Sequence, residues 1–133
     1  MTDNSHLTLD DLENERWSEP ELDSHLIVEC HRLRKIPIGQ FTTENLRIMI
    51  GQGFSLPHLM PLALAKLIDD PFAQGDFYAG DLLQVVLRTD WSFWENYPAL
   101  FAELHDVIAE LENRIRFANN ELLPVWQTYF RNS

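Results

Sequence analysis

The sequence of 133 residues predicts an all-α protein, a compact single-domain bundle of about seven or eight short helices. Apolar side chains recur at spacings of three and four residues along most of the chain, which is the period of helices with one buried face. Residues typical of helix ends separate these apolar runs. The nearest β-branched run, 84–87, lies inside a helical period, so no strand is predicted. With 45% hydrophobic residues the chain can form one packed core, and it is too short for two ordinary domains.

The first two predicted helices follow residues that favour the N-cap position. Leu9–Asn14 comes directly after Thr8, and Asp11 stands three residues after that threonine, as in a capping box. Ser24 precedes the second helix, which we expect to end near Arg34 because the proline that follows disfavours helical backbone before it. The basic sequence HRLRK at its end is either a solvated helix end or a partner for the acidic N-terminal residues.

The third and fourth predicted helices are separated by glycines. Thr42 or Thr43 caps the third helix, and Gly51 lies where it ends. The fourth helix begins after Ser55 and extends to Pro71. Its sequence is apolar nearly all round, so we expect it to be the central and most buried element.

The C-terminal half contains three further helices and a short aromatic turn. A helix begins at Asp81, and the turn Trp91–Asn96 follows it, with its two tryptophans predicted to share a core-facing side. If these rings are exposed instead, they form a patch of the kind that marks an interface. Pro98 begins the longest helix, and Glu121–Phe130 is predicted as a separate final element.

The net charge of −11 is concentrated near the N-terminus. Residues 1–24 contain eight acids and one base, for −7, and residues 25–133 contain 13 acids and nine bases, for −4. We expect residues 1–23 to form an acidic N-terminal arm with one short helix, within the same domain as a helical core over residues 24–133. An acidic protein repels phosphate groups, so direct binding to nucleic acid is not expected.

Neither a metal site nor an enzyme active site is predicted. The one cysteine, Cys30, cannot form an internal disulfide, and it falls on an apolar stripe where a thiol packs as a small hydrophobe. The five histidines lack the spacings of metal sites. GQG at residues 51–53 lacks the Lys-Ser/Thr that follows in a phosphate-binding loop, and no nucleophile motif is present. We therefore expect no catalytic residues, no cofactor and no metal.

The sequence also predicts a cytoplasmic protein. MTDNSHLTLDD contains no basic stretch followed by an apolar run, so a secretory signal is not expected. No window approaches the ~20 apolar residues that a membrane span needs.

The most unusual local sequence is GDFYAGD at residues 75–81, which places two aromatic and two acidic residues between helices. In a structural interpretation Asp81 caps the next helix, while Gly75 and Gly80 form turns. In a functional interpretation the loop presents aromatic rings and carboxylates to a basic partner, since tyrosine is frequent among binding hot spots. The two interpretations are compatible. The residues predicted to contact a partner, on this loop and on the arm, are Asp10, Asp11, Glu13, Glu15, Asp76 and Tyr78.

Five short stretches carry a family resemblance. They are Trp17 with Pro20, CHRLRK at 30–35, GQG at 51–53, PLAL at 61–64 and GDFYAGDLL at 75–83. In this order they resemble the small, acidic immunity proteins of bacterial contact-dependent growth inhibition (CDI) systems. The resemblance implies a cytoplasmic protein that binds and neutralises the toxic C-terminal domain of a cognate effector. Such toxins are commonly nucleases. It assigns no residue to the interface.

The charge supports the same hypothesis on physical grounds. A nuclease presents a positive groove to phosphate, and an acidic inhibitor is complementary to that groove. The expected partner is therefore a cognate toxin domain, with no direct nucleic-acid or membrane partner. Two alternatives stay open: an acidic helical adaptor or scaffold that binds another cytoplasmic protein, and an enzyme whose cleft the sequence does not reveal.

Overall fold

The computed structural model describes residues 3–18 and 24–131 of the chain. The predicted connection around Pro20 lies outside these residues. Residue 23, the last residue of the predicted arm, also lies outside them.

The described residues form an all-α bundle, as predicted. The helices are α1 (Leu9–Glu13), α2 (His25–Leu33), α3 (Thr43–Gly51), α4 (Leu56–Asp69), α5 (Asp81–Leu87), α6 (Trp91–Asn96), α7 (Pro98–Phe117) and α8 (Leu123–Trp126). A 3₁₀ turn over Ile38–Gln40 lies between α2 and α3. Within residues 3–18 and 24–131 the only β pairing is an isolated bridge between Gln74 and Ala79.

The central element is α4, as its apolar sequence predicted. It packs against α3, α5 and α7, and its inward side chains are fully or almost fully buried. The free thiol of Cys30 is also buried in this core, which confirms the packing role predicted for it. Burial raises the pKa of this thiol, so it stays protonated and unreactive.

The N-terminal residues pack directly on the bundle. Leu9 of α1 is fully buried, and two backbone hydrogen bonds join this segment to the 3₁₀ turn: Ile38 N–H to the Leu7 carbonyl and Gly39 N–H to the Ser5 carbonyl, both 2.9 Å. Gly39 is needed there, because a Cβ would lie 2.7 Å from the Ser5 side chain. The predicted capping box is confirmed, with Thr8 and Asp11 bonding to each other's backbone N–H.

The C-terminal part differs from the prediction of a separate final helix. The helical path continues from α7 through a π-helical segment, Ala118–Leu122, then α8 and a second π-helical segment, Gln127–Arg131. Pro124 explains the wide turn before it. A proline has no N–H to donate, and in an α-helix its ring collides with the carbonyl four residues earlier, which a π turn avoids.

Two local predictions are also corrected. The N-cap of α5 is Gly80 at φ 93°, not Asp81, because the Asp81 carboxylate turns back to bond the preceding loop. In α6 the buried rings belong to Phe93 and Trp94, whereas Trp91 is 57% exposed. Trp91 is the first residue of its short helix, and its ring contacts Phe101 edge-on at the surface instead of entering the core.

Candidate protein-binding surface

Arg34 is a buried cation, 1% exposed, that attaches the N-terminal arm to the helical core. Its Nε donates to Asp10 Oδ1 at 2.8 Å, its Nη1 donates to the Glu13 carboxylate, and its Nη2 donates to the Glu15 carbonyl at 3.1 Å. The guanidinium also lies over the Trp17 ring, with Cζ 4.5 Å from the ring centroid. Because an unpaired buried charge is costly, these contacts fix the position of α1 and the turn that follows it.

Two of the four arm acids predicted to contact a partner are engaged inside the protein. Asp10 is 3% exposed, and its second oxygen accepts a hydrogen bond from Lys35 Nζ at 2.8 Å. Glu13 is half-buried against Arg34. These ion pairs confirm that the HRLRK sequence pairs with the arm, and they make Asp10 and Glu13 positioning residues. Asp11 and Glu15 are exposed, and Asp11 also accepts the Thr8 N–H and lies 3.9 Å from Arg16 at the surface.

The ionisation of Asp10 follows from these contacts. Burial alone would raise its pKa, but the hydrogen bonds and charges of Lys35 and Arg34 outweigh burial and hold the pKa below the ordinary aspartate value. Asp10 is therefore a carboxylate at neutral pH, and its two cationic partners stay paired.

The loop over residues 74–80, the aromatic loop, is organised by a second buried carboxylate. Asp81 is 2% exposed, and its oxygens accept backbone N–H groups from Gly75 at 2.7 Å, Phe77 at 3.1 Å and Tyr78 at 3.4 Å. Burial raises the pKa of Asp81, but these three N–H donors, together with the Arg47 charge, lower it below the ordinary value overall. One side chain thus holds the backbone of the loop at three of its residues.

Helix α3 supports the same loop from the other side. Arg47 donates two hydrogen bonds of 2.6 Å to Glu44, and Glu44 Oε1 also accepts the backbone N–H of Asp76 at 3.0 Å. The packing is close at position 75, since a Cβ there would lie 2.5 Å from Glu44 Oε1 and the Glu44 side chain would have to shift. The aromatic loop is therefore held on both sides by α3 and by the start of α5.

The side chains of the aromatic loop point outward although its backbone is fixed. Phe77 is 66% exposed, with the Arg47 guanidinium 4.5 Å from its ring centroid, and Tyr78 is 49% exposed. The Tyr78 hydroxyl donates to Gln84, which orients the ring, and Asp76 is exposed beside them. Exposed aromatic side chains on a rigid backbone are the typical anchors of protein interfaces.

The predicted contact residues fall into two groups on either side of α2. A groove of about 600 Å³ separates the aromatic loop from α2 and is lined by His25, Glu29 and Phe77 among others. A second groove of about 430 Å³ lies between α2 and Trp17 of the arm, beside His31. Among the described residues, no hydrogen bond or ion pair joins Asp10, Asp11, Glu13 or Glu15 to Asp76 or Tyr78.

Across residues 3–18 and 24–131, no three His, Cys, Asp or Glu side chains are grouped so that they could hold a metal ion. None of the helices in this part of the chain has the length and apolar character needed to cross a membrane.

An acidic all-α domain that presents a rigid aromatic loop is typical of a protein that works by binding another protein. The family model for CDI immunity proteins matches residues 11–104, more than half of the chain, and the chain therefore belongs to this family. The family's description indicates that the chain neutralises a CDI toxin. Comparison with curated proteins and with solved structures gave no match.

Sequence reasoning missed two residues, one exposed on this surface and one buried beneath the arm. Phe77 was not among the predicted contacts although it is more exposed than Tyr78. Its ring lies against Arg47, 30 positions earlier in the chain, and no local pattern signals such a contact. Arg34 was recognised only as part of a basic run, because nothing in that run distinguishes the one cation that is buried from its exposed neighbours.

Proposed function

We propose that the chain binds the toxic C-terminal domain of its cognate CDI effector, a nuclease, through Asp76, Phe77 and Tyr78 of the aromatic loop and the exposed acids Asp11 and Glu15. The observation that carries this proposal is that the loop's side chains are exposed while its backbone is held by the buried Asp81 carboxylate. A loop that is already ordered loses little conformational entropy when it binds, so more of the favourable free energy of its aromatic contacts contributes to affinity.

The net charge supports a nuclease as the partner. A nuclease surface that binds phosphate is basic, and a chain of net charge −11 attracts such a surface over a distance of about a Debye length, ~8 Å at physiological salt. Asp11 and Glu15 are exposed carboxylates, so they contribute to this attraction; the ion pair that Asp11 makes with Arg16, at 3.9 Å, lies at the surface and is weak.

The first experiment tests the aromatic loop. Cells that express the toxin domain are complemented with the wild-type chain, with Phe77→Ala or with Tyr78→Ala, and the affinities of the purified pairs are measured by calorimetry. We expect each loop variant to weaken binding by at least about 30-fold and to reduce survival, as for truncated hot-spot residues. Trp91→Ala is the matched control, because this ring is similarly exposed but lies on α6. Equal losses for loop and control variants would place the interface elsewhere.

The second experiment tests the arm acids. Reversing all four acids would disturb the fold through Asp10 and Glu13, so the sharper variant is Asp11→Asn with Glu15→Gln. The asparagine at position 11 keeps a side-chain oxygen that can accept the Thr8 backbone N–H, as in the capping box of α1. We expect association with the toxin to slow by about 3- to 10-fold at low salt and to depend less on salt.

The control for the second experiment is Glu103→Gln with Asp106→Asn, two exposed acids on α7 that give the same change in net charge. The control variant should associate close to the wild-type rate. If both double variants slow association equally, only the overall charge matters, and the arm is not part of the contact surface.

The identity of the toxin activity is tested separately. The purified toxin domain is incubated with DNA and RNA, with and without the chain. Cleavage that the chain prevents supports the nuclease assignment. A toxin domain that cleaves neither, yet is neutralised by the chain, contradicts that assignment and leaves the binding proposal standing. A stable complex that protects no cells favours the adaptor alternative.

A further inference from the structure

The last turn of α7 and the helical path that follows it expose many large apolar side chains. Within residues 115–130, here named the C-terminal segment, eight large apolar side chains are between 46% and 70% exposed. They are Ile115, Phe117, Leu122, Leu123, Val125, Trp126, Tyr129 and Phe130. We propose that this segment is covered by the same segment of a second copy of the chain, in an antiparallel homodimer.

The segment begins where α7 leaves the bundle. Arg114 makes the last side-chain contacts to α4 and the turn after it, donating from Nη1 to Asp70 Oδ1 at 3.2 Å and from Nη2 to the Asp69 carbonyl at 2.8 Å. From Ile115 onward the large apolar side chains are about half exposed or more. A helical stretch of this length extends roughly 24 Å, at about 1.5 Å per residue. An apolar helix with solvent on most sides is unusual unless another surface covers it.

The exposed area is close to what a stable dimer needs. Eight large side chains that each leave on the order of 100 Å² uncovered offer roughly 800 Å², against about 800 Å² per partner in a standard interface. Ile68 and Phe72, each 43% exposed, flank the Asp69–Asp70 contact at the base of the segment. In an antiparallel pair the tip of the partner's segment reaches this base, so these two side chains add to the buried area.

The charge distribution favours a second copy over the basic toxin as the occupant. Residues 115–130 contain one base, Arg116, and one acid, Glu121, so they are neutral in a chain of net charge −11. A neutral segment provides no attraction to a basic surface. The match to the immunity family also ends at residue 104, before the segment begins.

The same charge sets the direction of pairing. A parallel pair would place two strongly acidic bundles side by side, where they repel. An antiparallel pair places the bundles at opposite ends, separated by the ~24 Å of the segments, which is about three Debye lengths at physiological salt. Each copy then contacts its partner through the same residues, as two-fold symmetry requires.

Sedimentation equilibrium of the full chain over a wide micromolar range tests the dimer. We expect the wild-type chain to dimerise and Trp126→Glu to dissociate at least about 30-fold more readily, because a charge placed in an apolar interface opposes pairing. Trp91→Glu is the control, with a similarly exposed tryptophan on the bundle, and it should dimerise like wild type. Circular dichroism checks that each variant is folded, and Tyr129→Glu provides the same test if Trp126→Glu is not.

A monomeric wild-type chain overturns the proposal, as does a dimer that Trp126→Glu and Tyr129→Glu leave intact. If the wild-type chain is monomeric and Trp126→Glu instead loses toxin binding, the toxin covers the segment and a second copy does not. The dimer proposal and the toxin-binding proposal can therefore be refuted independently, since the dimer is measured without toxin and toxin binding is measured by survival and affinity.

Disulfide cross-linking tests the direction of pairing. Leu122 lies near the middle of the segment, close to the expected two-fold axis, and Thr128 lies near its tip. An antiparallel pair brings two Leu122→Cys side chains together but keeps two Thr128→Cys side chains apart. We expect rapid covalent dimer formation for the first variant only. Equal cross-linking at both positions indicates a parallel pair and contradicts the proposed arrangement. The native Cys30 does not interfere, because it is buried.

Discussion

Replacing Asp81 with asparagine tests whether one carboxylate holds the aromatic loop. Its two oxygens accept three backbone N–H groups, from Gly75, Phe77 and Tyr78, at 2.7 to 3.4 Å. An asparagine keeps one acceptor oxygen and places an amide donor where the second oxygen was. At least one backbone N–H then faces another donor instead of an acceptor.

The cost can be worked out from these contacts. A hydrogen bond to a charged group contributes about 1.5–3 kcal/mol, and a buried donor left without a partner costs about 1–3 kcal/mol. Since Asp81 is 2% exposed, water does not replace the lost acceptor easily. We expect Asp81→Asn to lower the free energy of unfolding by roughly 2–4 kcal/mol. A loosened loop must also be ordered on binding, at about 1–2 kcal/mol per residue, so toxin affinity should fall at least about tenfold.

Urea unfolding and calorimetric titration with the toxin domain measure the two effects. Asp90→Asn is the control, since Asp90 is an exposed N-cap on α6 and asparagine serves equally well at that position. If Asp81→Asn unfolds like the control, the carboxylate does not hold the loop. If stability falls and toxin affinity is unchanged, the fixed conformation of the loop is not required for binding.

Three further predictions follow from the buried charges and the close packing of the loop. Arg34→Met should destabilise the fold by about 3–5 kcal/mol in urea unfolding, because it leaves Asp10 and Glu13 without their shared cation. The double variant with Asp10→Asn should lose less stability than the sum of the losses of the two single variants. The pKa values of Asp10 and Asp81 are lowered in the fold, so their stabilisation is complete above the unfolded pKa of about 3.9 and is lost as the pH falls through the folded values. Unfolding followed from pH 7 to pH 2 should therefore show a steep loss below pH ~4, shallower in Asp10→Asn, and an equal slope in the variant would contradict this origin. Gly75→Ala should lower the free energy of unfolding by about 1–3 kcal/mol, measured by thermal unfolding. Its Cβ would lie 2.5 Å from Glu44 Oε1 and 3.2 Å from Asp81 Oδ2. A neutral result would show that the loop moves freely away from α3.

The features that the sequence predicted correctly are those set by neighbouring residues. The capping box of α1 needs only residues three positions apart, and the cap of α3, predicted at Thr42 or Thr43 and found at Thr42, needs only the residue before the helix. The end of α2 near Arg34 and the central position of α4 follow from a proline and from an apolar run in the same way. Each of these is a local property of the chain.

The features that it missed depend on contacts between distant residues. Aspartate is a residue type favoured at N-caps, and only the fold shows that the Asp81 carboxylate turns toward the loop. Asp10 and Asp11 are neighbours of identical type, yet one is buried against Arg34, 24 positions away, and the other is exposed. The apolar C-terminal segment has a helical period, but periodicity cannot show whether another element covers the helix.

These contrasts divide the charge of the molecule into parts with different consequences. Two acidic residues of the arm, Asp10 and Glu13, form ion pairs with Arg34 and Lys35 and so stabilise the fold. The exposed acids lie on the bundle and the arm, and residues 115–130 have no net charge. The proposed electrostatic attraction to a toxin and the proposed apolar pairing with a second copy therefore depend on different parts of the chain. Salt should weaken the first and leave the second nearly unchanged, because apolar burial involves no charge for salt to screen. A titration with salt that weakens both to the same extent would show that the two surfaces are not independent.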